Sequence, residues 1–364
     1  VPDSRRGGEE GRGPVPSAPG SSGLIVSRLD LFEYPLPEVS IAQEPLPRGG
    51  TRLLVGDRAS GKCKDARVAD LPDLLPRGTV LVLNDTKVVP ARLHGRLPGG
   101  GRAEVLLLRR LDERVHLALV RPGRKLRPGA TVHFEGGLEA EVESAGPRGE
   151  RRVRFSADPG PHIETLGRIP LPPYIRRPDR AEDRTWYQTV YAREEGSVAA
   201  PTAGLHFTPE LLEALTEAGV ETVHLTLHVG MGTFRPIAGE TAEGHRMDAE
   251  RFHVSEAAAE AVNRAKGEGR RVVAVGTTTT RTLEATAQEN GRVCPGGGET
   301  ALFITPGFRF RVLDGLMTNF HLPRSTPLLL TCAFGGRERV LEWYNQALSK
   351  GYRFLSYGDA TLIL

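Results

Sequence analysis

The sequence predicts an α/β protein: a layered α/β domain, discontinuous along the chain, that carries a small inserted antiparallel β-barrel. Three observations predict it. From about residue 185 onward, helix-patterned and strand-patterned segments alternate, which is the signature of helices layered on a sheet. Residues 80 to 158 instead read as short strands broken by Gly and Pro turns, the rhythm of a small barrel. The chain of 364 residues also exceeds what a single core usually holds.

Residues 1 to 23 are rich in Gly, Pro, Ser and Arg and contain no apolar block, so they are expected to form a disordered extension and not a signal-peptide core. Residues 24 to 79 are expected to form the first part of the α/β domain. In it, GDRASGKC (56 to 63) nearly spells a phosphate loop, but Cys63 stands where a hydroxyl would hold Mg²⁺, so a hairpin turn between TRLLV and CKDARV is the better reading. Residues 80 to 158 (TVLVLN, AEVLLLRR, VHLALV, ATVHF, RRVRF) are assigned to the barrel, and 159 to 364 to the main part of the α/β domain. There a helix at 209 to 218, with Thr208 as N-cap and Pro209 at its first position, leads to a strand at 220 to 229. A helix at 255 to 266, capped by Ser255, leads to the strand RVVAVG (271 to 276), which feeds a helix from about Thr280.

Hydrophobic content of 39% and charged content of 26% are those of an ordinary globular protein, and no apolar run approaches the roughly 20 residues that span a bilayer. Cys63, Cys294 and Cys332 are odd in number and widely spaced, against a disulfide framework or a cysteine zinc site, and a reducing cytoplasm fits them best. The net charge of +3 is mild but uneven: residues 84 to 158 hold 15 Lys/Arg against 10 Asp/Glu, including RPGRKLR at 121 to 127. Arg121, Arg124, Lys125 and Arg127 are either a solvated face or a patch that tracks nucleic-acid phosphates.

Several segments of the second half set small, hydroxyl, His or Arg residues at the end of an apolar run. PTAGLH (201 to 206) sits just before a capped helix, where binding loops concentrate. GTTTTRTLE (276 to 284) places hydroxyls and Arg281 at a helix entrance, suited to an anion that Arg281 could grip. TNFHLPRSTP (318 to 327) and SYGDA (356 to 360) add Asn319, His321, Tyr357 and Asp359, which point to a shared cleft. His224 and His228 have i, i+4 spacing, but VHLTLHV reads as a strand, which separates them by about 13 Å and rules out a shared ion.

These segments, together with NDTKVVPARLHG (84 to 95), PLPPYI (170 to 175), YQTVYA (187 to 192) and LTLHVGMGTFRPI (225 to 237), resemble the S-adenosylmethionine:tRNA ribosyltransferase-isomerases of queuosine biosynthesis, from about Leu29 to the C-terminus. The resemblance implies transfer and isomerisation of the ribosyl group of S-adenosylmethionine onto 7-aminomethyl-7-deazaguanine at the tRNA wobble position. Epoxyqueuosine-tRNA would form, with adenine and methionine released. S-adenosylmethionine would be consumed, with no cofactor and no metal. Residue chemistry and resemblance together make His206, His228 and His321 acid/base candidates, with Glu250 a further catalytic candidate. Thr202, Thr277, Thr278, Arg281, Asn319, Tyr357 and Asp359 are candidates for substrate binding. Asp85, Lys87 and Arg92 are candidates for positioning tRNA or its base, beside the Arg121, Arg124, Lys125 and Arg127 cluster. One departure stands out: where the family's pattern is His-x-Met-His-x-Glu, this chain reads His245-Arg246-Met247-Asp248-Ala249-Glu250, which leaves Asp248 a supporting role. A metal-dependent hydrolase using His228, His245, Glu250 and His321, or a non-catalytic RNA-binding module, are the readings from other classes. Nothing in the sequence sets an oligomeric state; a monomer is one reading.

Overall fold

The computed structural model describes residues 28–234, 237 and 239–364. The expected extension at 1 to 23, and the start of the α/β segment at 24 to 27, lie outside the described residues.

A nine-stranded mixed sheet organises the molecule. Its order is Gly296–Thr300, Glu250–Val254, Glu221–Leu227, Val80–Asn84, Val272–Val275, Gly315–Asn319, Ala360–Ile363, Arg52–Gly56 and Cys63–Arg67. The central four, from Glu221–Leu227 to Gly315–Asn319, run parallel, so their C-terminal ends lie along one edge. They are rich in Val and Leu with little alternation, as strands covered on both faces must be. Alternate residues feed two cores: Val80, Val82, Val272 and Ala274 pack with the helices Glu256–Gly267 and Thr326–Gly335, while Leu81, Leu83, Val273 and Val275 pack with Leu211 and Leu215 of the helix Pro209–Glu217.

Local signals set the helix starts. Thr208 Oγ1 accepts from Leu211 N at 3.1 Å, and Ser255 Oγ accepts from Ala258 N at 3.2 Å, each satisfying an orphan first-turn donor. The strands Arg52–Gly56 and Cys63–Arg67 form an antiparallel hairpin around 57 to 62, so the phosphate-loop look-alike is a turn.

The inserted barrel is closed and antiparallel, in the order Glu150–Phe155, Val115–Arg121, Arg102–Arg110, Arg92–Arg96, Thr131–His133, Glu139–Ala145. Two expectations are corrected. TVLVLN does not belong to the barrel: Val80–Asn84 is a fully buried central strand of the large sheet, and barrel strands begin at Arg92. The helix expected from about Thr280 begins at Thr277, with Gly276 as its N-cap directly after the strand, and Thr279 and Thr280 turn their hydroxyls back onto the carbonyls of Val275 and Gly276, at 2.7 and 3.1 Å.

A short neck joins barrel to sheet. Thr86–Val88 pairs in parallel with Glu194–Ser197, and Arg193 N donates to Asp85 O at 2.7 Å.

Candidate active site

Val80–Asn84 and Val272–Val275 are neighbouring parallel strands, and a crevice lies at their C-terminal ends. Ligands of open α/β sheets bind at the carboxyl ends of the strands. Asn84 bridges the crevice floor, donating from Nδ2 to Leu227 O at 3.0 Å and to Thr278 Oγ1 at 3.3 Å.

Above this floor lies the first cavity, walled by the turn of Pro201, Thr202 and Ala203, the helix start at Gly276 to Thr278, and the segment Thr318 to Ser325. Of the four threonines at the helix start, Thr278 to Thr280 are buried and bonded within the protein, whereas Thr277 is partly exposed and faces the cavity. His321 also lines it, with Nε2 2.9 Å from Thr318 Oγ1, and packing around the ring pushes its pKa down to about 3. Tyr174 and Ser356 close another side through a 2.6 Å hydroxyl pair.

Val229 separates this cavity from a second one, at the junction of sheet and barrel. Its lining includes His228, Asp248, Glu250 and Arg251 from the sheet side and Arg109 and Arg148 from the barrel. Thr86 Oγ1 lies 2.9 Å from His228 Nδ1 and 2.8 Å from Ser197 Oγ, so both strands of the neck fix the imidazole. Gly196, at φ +142°, lets the ring pack closely, since a Cβ there would stand 2.9 Å from Nδ1. Burial, reinforced by Arg251, lowers the His228 pKa below its ordinary value. Asp248 forms an ion pair with Arg148 of the barrel hairpin.

Glu250 and Arg281 link the two cavities. Glu250 accepts from Gly230 N at 2.9 Å and pairs with Arg281 Nη2, both side chains being about 5% exposed. Arg281 and Thr277 together line a small pocket beside the first cavity, and Arg281 Nη1 is buried with no partner among the described residues.

The structure rearranges the candidate list. His206 is buried, and its Nε2 lies 3.1 Å from Asn319 Nδ2; it borders a third cavity, with Trp186, Leu205 and Tyr357, instead of the first. Burial lowers its pKa to about 4. Tyr357 faces the same third cavity and donates to Asp183 at 3.3 Å. Asp359 is 1% exposed, its two oxygens accepting from Arg52 N and Arg353 N at 2.8 Å each, so its carboxylate holds backbone and is not offered to a ligand. Asp85 is likewise 1% exposed and spent on Arg193 and Thr226 at 2.7 Å, which removes it from direct contact with RNA. Lys87 is paired with Glu195 at 2.7 Å, and Arg92 is partly buried near Glu104. Arg121, Arg124, Lys125 and Arg127 are exposed, and Arg121 borders a groove on the barrel with His94, Arg96, Arg102 and His133. The ligand set proposed for a hydrolase is not assembled: His245 meets the Phe303 ring edge-on, His321 lines another cavity from His228 and Glu250, and no group of three metal-ligating side chains occurs among the described residues. Thr86, Asn84, Ser197 and Gly196 were missed by sequence reasoning, although NDTK directly after a wholly apolar strand was a signal.

A cleft at the carboxyl ends of parallel strands, with two adjoining cavities, one of them lined in part by an inserted barrel, is the arrangement of an α/β enzyme. The chain belongs to the queuosine biosynthesis protein family, whose model matches residues 29–363. It is 52% identical over 342 residues to the S-adenosylmethionine:tRNA ribosyltransferase-isomerase of Syntrophotalea carbinolica, covering 93% of this chain and 100% of the relative. It is 53% identical over 346 residues to that of Thermus thermophilus, covering 92% and 99%. A crystal structure of S-adenosylmethionine tRNA ribosyltransferase from Thermotoga maritima is similar at 36% identity and a TM-score of 0.54, covering 92% of this chain and 100% of that one.

Proposed function

We propose that this chain is an S-adenosylmethionine:tRNA ribosyltransferase-isomerase of queuosine biosynthesis. It transfers and isomerises the ribosyl group of S-adenosylmethionine onto 7-aminomethyl-7-deazaguanine at the tRNA wobble position, giving epoxyqueuosine-tRNA and releasing adenine and methionine. The observation that carries the reading is identity of about half of all residues to enzymes of that name along their whole length. S-adenosylmethionine is consumed as the donor, no further cofactor takes part, and the setting is the cytoplasm; among the described residues no helix is long and apolar enough to cross a membrane.

The reaction needs a base near the acidic C5′ hydrogens beside the sulfonium, a proton donor for departing adenine, and an oriented amine. The donor occupies the first cavity, where Thr277 and the free N–H groups of the helix start favour its carboxylate. The deazaguanine enters the junction cavity, with tRNA held by the barrel. His228 is the acid/base group facing it, because Thr86 holds one ring nitrogen and leaves the other for proton transfer. His321, neutral at pH 7, acts as a hydrogen-bonding group in the donor cavity.

Incubation with S-adenosylmethionine and precursor-bearing tRNA, followed by nucleoside mass spectrometry, tests the reading. Adenine and methionine should appear in equal amounts beside epoxyqueuosine. S-adenosylhomocysteine as the main product would overturn it.

A further inference from the structure

Thr202, Asn319 and His206 form a chain of hydrogen bonds whose direction is fixed by a single carbonyl. Thr202 and His206 stand at the two ends of one short turn, Thr202–His206, and Asn319 ends a central strand beside it. The Leu355 carbonyl oxygen, which can only accept, lies 3.2 Å from one terminal atom of the Asn319 amide, so that atom is the nitrogen Nδ2. Its second hydrogen points at His206 Nε2, 3.1 Å away, which is therefore the unprotonated ring nitrogen. Burial of His206, which lowers its pKa to about 4, keeps that ring neutral.

The remaining amide atom, Asn319 Oδ1, carries no hydrogen and lies 3.0 Å from Thr202 Oγ1, so the threonine must donate to it. A hydroxyl has one hydrogen, and here it is spent inside the protein. Among the described residues no donor is bonded to Thr202 Oγ1, and the partly exposed residue lines the first cavity.

We infer that Thr202 offers the cavity only acceptor lone pairs and therefore selects an N–H donor on the ligand, with Asn319 and His206 as positioning residues that set this polarity. The inference rests on the proposed donor. S-adenosylmethionine carries two groups of that chemistry, the α-ammonium of its methionyl part and the 6-amino group of adenine. An acceptor at Thr202 and donors at the helix start across the cavity complement the two ends of an amino-acid group.

The test is calorimetric binding to the full chain with three probes: S-adenosylmethionine, its analogue with hydrogen in place of the α-amino group, and its analogue with hydrogen in place of the adenine 6-amino group. Thr202→Val preserves shape and removes the acceptor, and should weaken S-adenosylmethionine binding by about tenfold or more if the ligand group is charged. Thr202→Ser should restore it. The valine penalty should vanish for whichever analogue lacks the N–H group that Thr202 reads, which also identifies the group. His206→Gln, whose Oε1 can accept from Asn319, should bind nearly as the parent does. A valine penalty that is absent for S-adenosylmethionine, or persists with both analogues, overturns the inference, and a glutamine variant as weak as the valine variant overturns the positioning role. No binding of S-adenosylmethionine by the parent chain would instead overturn the donor reading, and this inference with it.

Discussion

Glu250→Gln isolates the electrostatics of the link between the two cavities. Glutamine keeps the side-chain shape and an oxygen for Gly230 N, which now donates to Glu250 at 2.9 Å, so the perturbation is the loss of one negative charge. Arg281 is 4% exposed, and its Nη1 already lacks a partner among the described residues. A guanidinium cannot shed its proton, so the variant holds a buried cation without its counter-charge. Breaking such a pair from one side costs about 3 to 5 kcal/mol, most of it desolvation left uncompensated. Arg281→Met removes the cation that pairs with Glu250 and should also destabilise the fold. The double variant Glu250→Gln with Arg281→Met has neither buried charge and should recover much of the loss. Urea unfolding of the parent, both single variants and the double variant gives the coupling directly. Additive single losses of under about 1 kcal/mol each would refute the reasoning, because they would mean the pair is solvated in the way that surface pairs are.

Two further outcomes are expected. Replacing Arg121 and Arg124 with Gln should raise the KM for tRNA and flatten its salt dependence by about 0.7 to 0.9 in log–log slope for each phosphate that is no longer neutralised, with the rate at saturating tRNA unchanged; an unaltered salt slope would leave this barrel face merely solvated. Acidification should destabilise the chain through His206. Its folded pKa of about 4 lies below that of a free imidazole, so between those values the unfolded state binds the proton and the folded state does not. The stabilising contribution is complete above about pH 6.5 and falls by about 1.4 kcal/mol per unit as the pH drops toward the folded value. Urea unfolding at pH 7.5, 6 and 5 should show a shallower decline in His206→Gln than in the parent, and parallel declines would refute the assignment.

Features encoded within a few residues were legible in the sequence. Thr208 and Ser255 cap their helices as expected, because a cap needs only the next turn of its own chain. Alternation of helix and strand correctly indicated the layered sheet. Misreadings arose where distant partners decide. Val80–Asn84 precedes the barrel strands and so reads as one of them, yet its five buried residues mark a strand covered on both faces. Asp85 and Asp359 looked like ligand carboxylates, but Arg193, Thr226 and the backbone of Arg52 and Arg353 absorb them. Arg281 lies one turn further into its helix than expected, since the helix starts at Thr277, and this turns it toward Glu250. No local pattern specifies that His228 belongs with Thr86 and Ser197, which are 142 and 31 positions away in sequence.

The neck between barrel and sheet has a consequence for how such a protein can diversify. Its two short strands, Thr86–Val88 and Glu194–Ser197, contain the hydroxyls gathered at the His228 ring. An exchange of the barrel strands alone, from Arg92 to Phe155, leaves this mount intact while it replaces Arg109 and Arg148 in the wall of the neighbouring cavity. An exchange that cuts into the paired segment unseats the imidazole together with the barrel. Junctions that spare the His228 mount therefore fall on the barrel side of the ladder, where the barrel's surface can change while the ring keeps its seat.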